Sequence, residues 1–178
     1  MFIDGAYLSL VSKFLGKGKH LRFNIKTLAE SLAKNQDFKC KEIFYYICPP
    51  FQGTPSTLDQ ENRKAGYDKF ISKLDLSGIN VREGRCQMIN EEYTQKGVDV
   101  LLSIDLVRKA SEVKNFILIA CDTDFVPAIK DIRTKDKVKV TLYYFKDRNP
   151  AFSMSDHILS VCDKKVRLTK EEFDKASF

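Results

Sequence analysis

The chain has 178 residues, 43% of them hydrophobic and 30% charged, enough for one globular domain with a substantial core and a squeeze for two. That composition excludes a mainly disordered protein, and no apolar run approaches the ~20 residues of a membrane span. A formal net charge of +6 mildly favours a polyanionic partner.

In chain order, residues 1–4 predict a short strand ending in Asp4-Gly5, and residues 6–15 a helix with Leu8, Val11, Phe14 and Leu15 at helical spacing. Gly16-Lys17-Gly18-Lys19-His20 is a basic loop. Asn24 is placed to cap a second helix over 24–33. The aromatic and β-branched run 42–48 predicts a strand that Pro49-Pro50 stops. A polar helix over about 56–74 carries Arg63, Lys64, Lys69 and Lys73. Residues 79–86 read as a strand and 91–96 as a polar linker with Tyr93. Gly97 opens a helix over 98–110, followed by a strand at 116–121, a helix at 125–134 and a strand at 138–145. After Asn149-Pro150, residues 151–161 look helical and 165–168 suit an edge strand. Strands alternating with helices predict an α/β protein, a three-layer α/β/α sandwich on a mainly parallel central sheet. Residues 1–168 are expected to form the domain, with 169–178 a tail or helical appendage.

The N-terminal Met1-Phe2-Ile3-Asp4 lacks the basic segment and long apolar core of a secretion signal, so a cytoplasmic protein is expected. Cys40, Cys48, Cys86, Cys121 and Cys162 are scattered, odd in number and never in a CxxC pair. Cys48, Cys86 and Cys121 fall in or beside predicted strands, where cysteine acts as a small apolar residue, and with only His20 and His157 to join the five a zinc site is not expected.

The chemistry gathers at element boundaries. Asp4 ends the first strand, Asp99 lies in the first turn of the helix after Gly97, and Asp122 and Asp124 end the apolar run 116–121. Ligands of parallel α/β sheets bind beyond the carboxyl ends of the strands. Carboxylates crowded there repel one another unless a cation or a shared proton accepts them. Each acid alone has a structural account: Asp4 and Asp99 as helix caps or first-turn acids, Asp124 as a cap for the helix at 125. Together the four Asp residues point to a divalent cation such as Mg²⁺ or Mn²⁺, which orients a phosphodiester and lowers the pKa of an attacking water. Asp105 falls within the apolar stripe of Leu101 and Leu102, so it needs a partner. It either supports a neighbouring ligand or forms a structural ion pair.

Phe2-Ile3-Asp4-Gly5-Ala6, the segment Gly97-Val98-Asp99-Val100-Leu101-Leu102-Ser103-Ile104-Asp105 and the segment Cys121-Asp122-Thr123-Asp124-Phe125-Val126-Pro127 resemble, in order, the motifs of NYN domain proteins of the PIN-like nuclease superfamily, particularly the LabA-like branch. The resemblance runs to about Leu168. It implies a PIN-like sandwich and metal-dependent phosphodiester cleavage, mostly of RNA, with Asp4, Asp99, Asp122 and Asp124 as the Mg²⁺ or Mn²⁺ ligands. Asp105 matches a recurrent acid of the family without an assigned role, and Asp105 and Thr123 are the candidates for supporting those ligands. A homodimer is implied at superfamily level. Two positions depart from the family pattern: Tyr7 stands where an asparagine is usual, and Cys121 where a glycine precedes the first acid of the last motif.

Lys17, Lys19, Arg63, Lys64 and Lys96 are candidates for sequence-blind contacts to a nucleic-acid backbone, with solvated surface as the alternative. Tyr7 and Tyr93 are candidates for stacking on unpaired bases, with core or rim packing as the alternative. Two other functions fit parts of the pattern. One is an RNA-binding or regulatory scaffold of the same fold without turnover. The other is a haloacid-dehalogenase-like phosphatase, whose nucleophile motif Asp122-Thr123-Asp124-Phe125-Val126 imitates. That fold normally begins with the motif, which here lies in the last third of the chain.

Overall fold

The computed structural model describes residues 1–89, 92–149, 152 and 154–178. The chain runs β1 (Phe2–Asp4), α1 (Gly5–Leu15), α2 (Ile25–Lys34), β2 (Phe44–Ile47), α3 (Leu58–Leu76), β3 (Asn80–Glu83), β4 (Arg85–Ile89), β5 (Glu92–Lys96) and α4 (Val98–Lys109). It continues through β6 (Asn115–Ile119), a 3-10 turn (Thr123–Phe125), α5 (Val126–Lys135), β7 (Lys139–Tyr144), α6 (Asp156–Val161), β8 (Lys164–Arg167) and α7 (Lys170–Lys175). Six strands form one parallel sheet in the order β3-β2-β1-β6-β7-β8.

Alternation along the strands explains the three layers, because successive side chains leave opposite faces. Phe2, Phe44, Tyr46, Phe116, Leu118, Val140 and Leu142 point to one core, closed by α4, α5 and α6. Ile3, Tyr45, Ile117, Ile119 and Tyr143 point to the other, closed by α1, α2 and α7. Both faces of the central strands are covered, which is why they read as unbroken apolar runs. The helix starts are chemically marked: Asn24 accepts from Thr27 N at 3.0 Å, and Thr57 and Gln60 form a reciprocal capping box on α3. α7 docks through Phe173, which is 1% exposed and packs edge-on against Phe23 at 4.9 Å.

The sequence expectation fails between residues 79 and 96. The predicted strand 79–86 is two strands, β3 and β4. Gly84 N donates the last bond of that edge to Ile47 O at 2.9 Å, and the chain then leaves the sheet. The predicted linker is β5, which pairs antiparallel with β4 from Arg85↔Lys96 to Ile89↔Glu92; Glu91 lies outside the described residues. Further on, α6 starts only at Asp156, capped by the Ser155 hydroxyl, and Ala151 lies outside the described residues.

Candidate active site

The sheet order changes direction between β1 and β6: from β1 the chain builds outward to β2 and β3, and from β6 the opposite way to β7 and β8. Such a switch point opens a crevice at the carboxyl ends of the strands. Asp4 ends β1 there, and its Oδ1 accepts from Tyr7 N at 3.0 Å as the cap of α1. The turn into α1 is tight: a Cβ on Gly5 would meet Tyr46 O at 2.7 Å. Asp122 follows β6 and accepts from Asp124 N at 2.9 Å, starting the 3-10 turn.

Asp99 arrives from the hairpin side. Gly97 has φ +83° with open space where a Cβ would lie, so its conformation and not its size selects glycine. We expect Gly97→Ala to lower stability by about 1–2 kcal/mol in a denaturant melt, because an L side chain must be forced into the left-handed region. A neutral result would mean that the turn relaxes elsewhere.

These boundaries bring Asp4 within electrostatic reach of Asp99 and Asp122, and Asp99 within reach of Asp122 and Asp124. Burial first, then the charges of Asp99 and Asp122, push Asp4 up to about 6 against the opposing hydrogen bond from Tyr7. Partial burial and the charges of Asp122 and Asp124 likewise raise Asp99. Among the described residues none of the ion pairs includes any of the four. An all-carboxylate set without a counter-charge fits a hard cation in donor chemistry. Among the described residues no three Asp, Glu, His or Cys side chains are already gathered as a ligand cage.

The other sequence candidates separate. Asp105 is 6% exposed, accepts from Tyr46 OH at 3.0 Å and from Arg82 Nε at 2.9 Å, and so forms the structural ion pair. Thr123 is exposed, and no hydrogen bond joins its hydroxyl to the four acids among the described residues. Tyr7 has no face for a base: it is 4% exposed, and its hydroxyl accepts from Phe145 N at 2.7 Å. This corrects its reading as a stacking candidate and shows what the departure from asparagine does, tying α1 to the end of β7. Cys121 keeps an ordinary φ, so the missing glycine leaves no strain in that turn. Lys17 and Lys19 lie beyond α1, about 16 Å along its axis from Asp4. Arg63 and Lys64 are tied to Asp59 and Asp68 one helical turn away. Lys96 ends β5 immediately before the Gly97 turn.

Two partners escape a reading by motif. Arg82 sits in a polar strand with nothing to mark its tie to Asp105, and Phe51 meets Tyr93 with ring centroids 5.6 Å apart across 42 positions of sequence. The only signal for the first was Asp105 itself, an acid on an apolar stripe.

The family model for the NYN domain matches residues 1–169. Among solved structures, a protein of unknown function from Vibrio parahaemolyticus matches with a TM-score of 0.66 and 16% identity, over 97% of this chain and 92% of its own. At that identity the likeness is one of fold. No curated protein matches the sequence significantly.

Proposed function

The chain belongs to the NYN domain family, and from that premise we propose that it is a metal-dependent nuclease hydrolysing phosphodiester bonds in RNA. The observation that carries this reading is the crowding of aspartates at the switch point, where Asp4 and Asp99 are each raised by neighbouring acids, Asp4 by Asp99 and Asp122, and Asp99 by Asp122 and Asp124, with none of the four in an ion pair among the described residues. Asp4, Asp99, Asp122 and Asp124 would hold Mg²⁺ or Mn²⁺. When bound, such an ion neutralises charge on phosphodiester oxygens and lowers the pKa of an attacking water. The chain's own part is placement. The backbone N–H groups of Tyr7 and Ala6 hold the Asp4 carboxylate, and Asp124 N holds that of Asp122 at 2.9 Å, so both are oriented by the turns they start. Lys96, next to the Gly97 turn, is the basic side chain best placed by sequence to meet a phosphate near Asp99.

The test is incubation of the protein with single-stranded and structured RNAs in Mg²⁺, in Mn²⁺ and in EDTA, beside Asp122→Asn. Cleavage is expected only with a divalent ion, and the variant should lose on the order of a hundredfold. Equal cleavage by the variant would expose a contaminant. Metal-independent binding without any cleavage would establish the scaffold reading, to which the Tyr7 departure belongs. A trapped aspartyl-phosphate would establish the phosphatase. No helix among the described residues is long and apolar enough to cross a membrane. We place the protein in the cytoplasm, and sedimentation would reveal the homodimer that the superfamily implies.

A further inference from the structure

Beyond the carboxyl end of β2 lies a cavity of about 210 Å³ that the proposed chemistry leaves unused. Phe51, Gln60, Arg63, Tyr93 and Gln95 are among its lining residues. Phe51 and Tyr93 make a tilted pair at 40°, yet Tyr93 remains 56% exposed. In the hairpin register Met88 faces Tyr93 and Cys86 faces Gln95, so Tyr93 and Gln95 share one face of the ribbon.

The wall opposite the hairpin is held in place. Gln52 Nε2 donates to Phe51 O and to Gln60 O, both at 2.8 Å, and pins the loop to the first turn of α3. Gly53 N and Thr57 N both donate to Gln60 Oε1 at 3.0 Å. Two N–H donors on one atom settle which end of the amide is oxygen. The Gln60 NH₂ group is therefore left as a donor at the cavity, with no acceptor among the described residues. Arg63 is paired with Asp59, but both are well exposed, 59% and 67%. Such a surface pair is weak enough for the guanidinium to exchange its partner for a phosphate.

The cavity stands on the same edge as the acids. Its loop continues from β2, the sheet neighbour of β1 and Asp4, and its hairpin leads through Gly97 to Asp99. An exposed aromatic face with amide groups beside it suits a planar heterocycle. Only an unpaired base can present its face in this way, since a duplex keeps base faces stacked.

We propose that this cavity is a base-stacking subsite, where an unpaired nucleobase of single-stranded RNA lies against the Phe51–Tyr93 pair, with the Gln60 and Gln95 amides at its edge and Arg63 toward the backbone. The ligand class rests on the nuclease reading; the test does not need turnover. Fluorescence anisotropy with a labelled single-stranded RNA octamer in EDTA is compared with the blunt duplex of the same sequence. Tyr93→Ala is expected to weaken single-strand binding about tenfold, Tyr93→Phe to keep it, and both to leave duplex binding unchanged. Tyr93→Leu, which keeps apolar bulk without an aromatic face, should behave like Tyr93→Ala even if the alanine variant loosens the hairpin. With 5-iodouridine in the octamer, photocrosslinks should map to Phe51 or Tyr93. Wild-type affinity in Tyr93→Leu and Phe51→Ala, or an equal loss on duplex, overturns the subsite. If the wild type still cleaves RNA with Mn²⁺ in that case, the nuclease reading stands. Tyr93-dependent binding without any metal-dependent cleavage would leave the subsite and remove the nuclease.

Discussion

Asp4→Asn is expected to abolish divalent-ion-dependent cleavage while making the folded protein more stable at neutral pH. Asparagine caps a helix as well as aspartate does, so the bond from Tyr7 N at 3.0 Å has a replacement acceptor and α1 keeps its start. What disappears is a buried negative charge beside Asp99 and Asp122. In the folded protein burial and those two charges push Asp4 from its ordinary 3.8 up to about 6. The folded state therefore binds this proton more tightly than the unfolded chain, and stability falls as pH rises from about 4 to about 6. Above that window the full penalty is present, roughly 2–3 kcal/mol. Asp4→Asn should recover most of it at pH 7.5 and almost none at pH 4, in urea melts of the two proteins at both pH values. Mn²⁺ supplies the complementary measurement. It should raise the melting temperature of the wild type, since a ligand that binds only the folded state stabilises it, and raise that of the variant far less. A variant less stable than the wild type at pH 7.5 and still active would reduce Asp4 to a helix cap.

The same physics separates what the sequence displays from what it hides. Central strands such as β6 are buried on both faces, so Phe116 to Ile119 stand out as an apolar run, and the acids beyond them mark the strand end. Asn24 and Gly97 announce helix starts because capping and a positive φ restrict residue type. The β4–β5 ribbon gives no such signal. Its strands, RCQMI and EYTQK, are exposed or half-buried, and polar residues on both faces blur the alternation that would reveal them. Pairings between distant elements are equally silent. Phe51 with Tyr93 and Tyr7 with Phe145 depend on how the sheet edge folds over, and local composition carries no trace of the partner. The carboxylates were legible because strand ends are where a parallel sheet puts chemistry; the groups around them were not, because their positions are set by tertiary register.

Asp105→Ala is expected to destabilise the protein by about 3–5 kcal/mol while Asp105→Asn retains the cleaving site. The Asp105 carboxylate accepts from Tyr46 OH on β2 and from Arg82 on β3, at 3.0 Å and 2.9 Å, from its place on α4. Truncation leaves the Tyr46 hydroxyl, on a residue with 0% exposure, without its acceptor. It also leaves Arg82 unpaired, although 36% exposure of that side chain lets water recover part of the loss and favours the lower end of the range. Asparagine keeps a carbonyl oxygen for Tyr46 OH and Arg82 Nε but gives up the charge and the acceptor of Arg82 Nη2, a group water can reach, so the loss should be smaller than for alanine. Both oxygens of Asp105 are engaged, since Arg82 Nη2 also reaches Oδ1 at 3.4 Å, which leaves no oxygen without a protein partner. The clamp instead fixes the axis of α4, and Asp99 sits on that axis about 9 Å away toward the N-terminus. Thermal melts and cleavage rates on the two variants divide the roles. A structural clamp predicts a large fall in stability for alanine, with near-normal metal-dependent cleavage by asparagine below its melting temperature. Cleavage lost in Asp105→Asn at unchanged stability would move Asp105 from the scaffold into the chemistry.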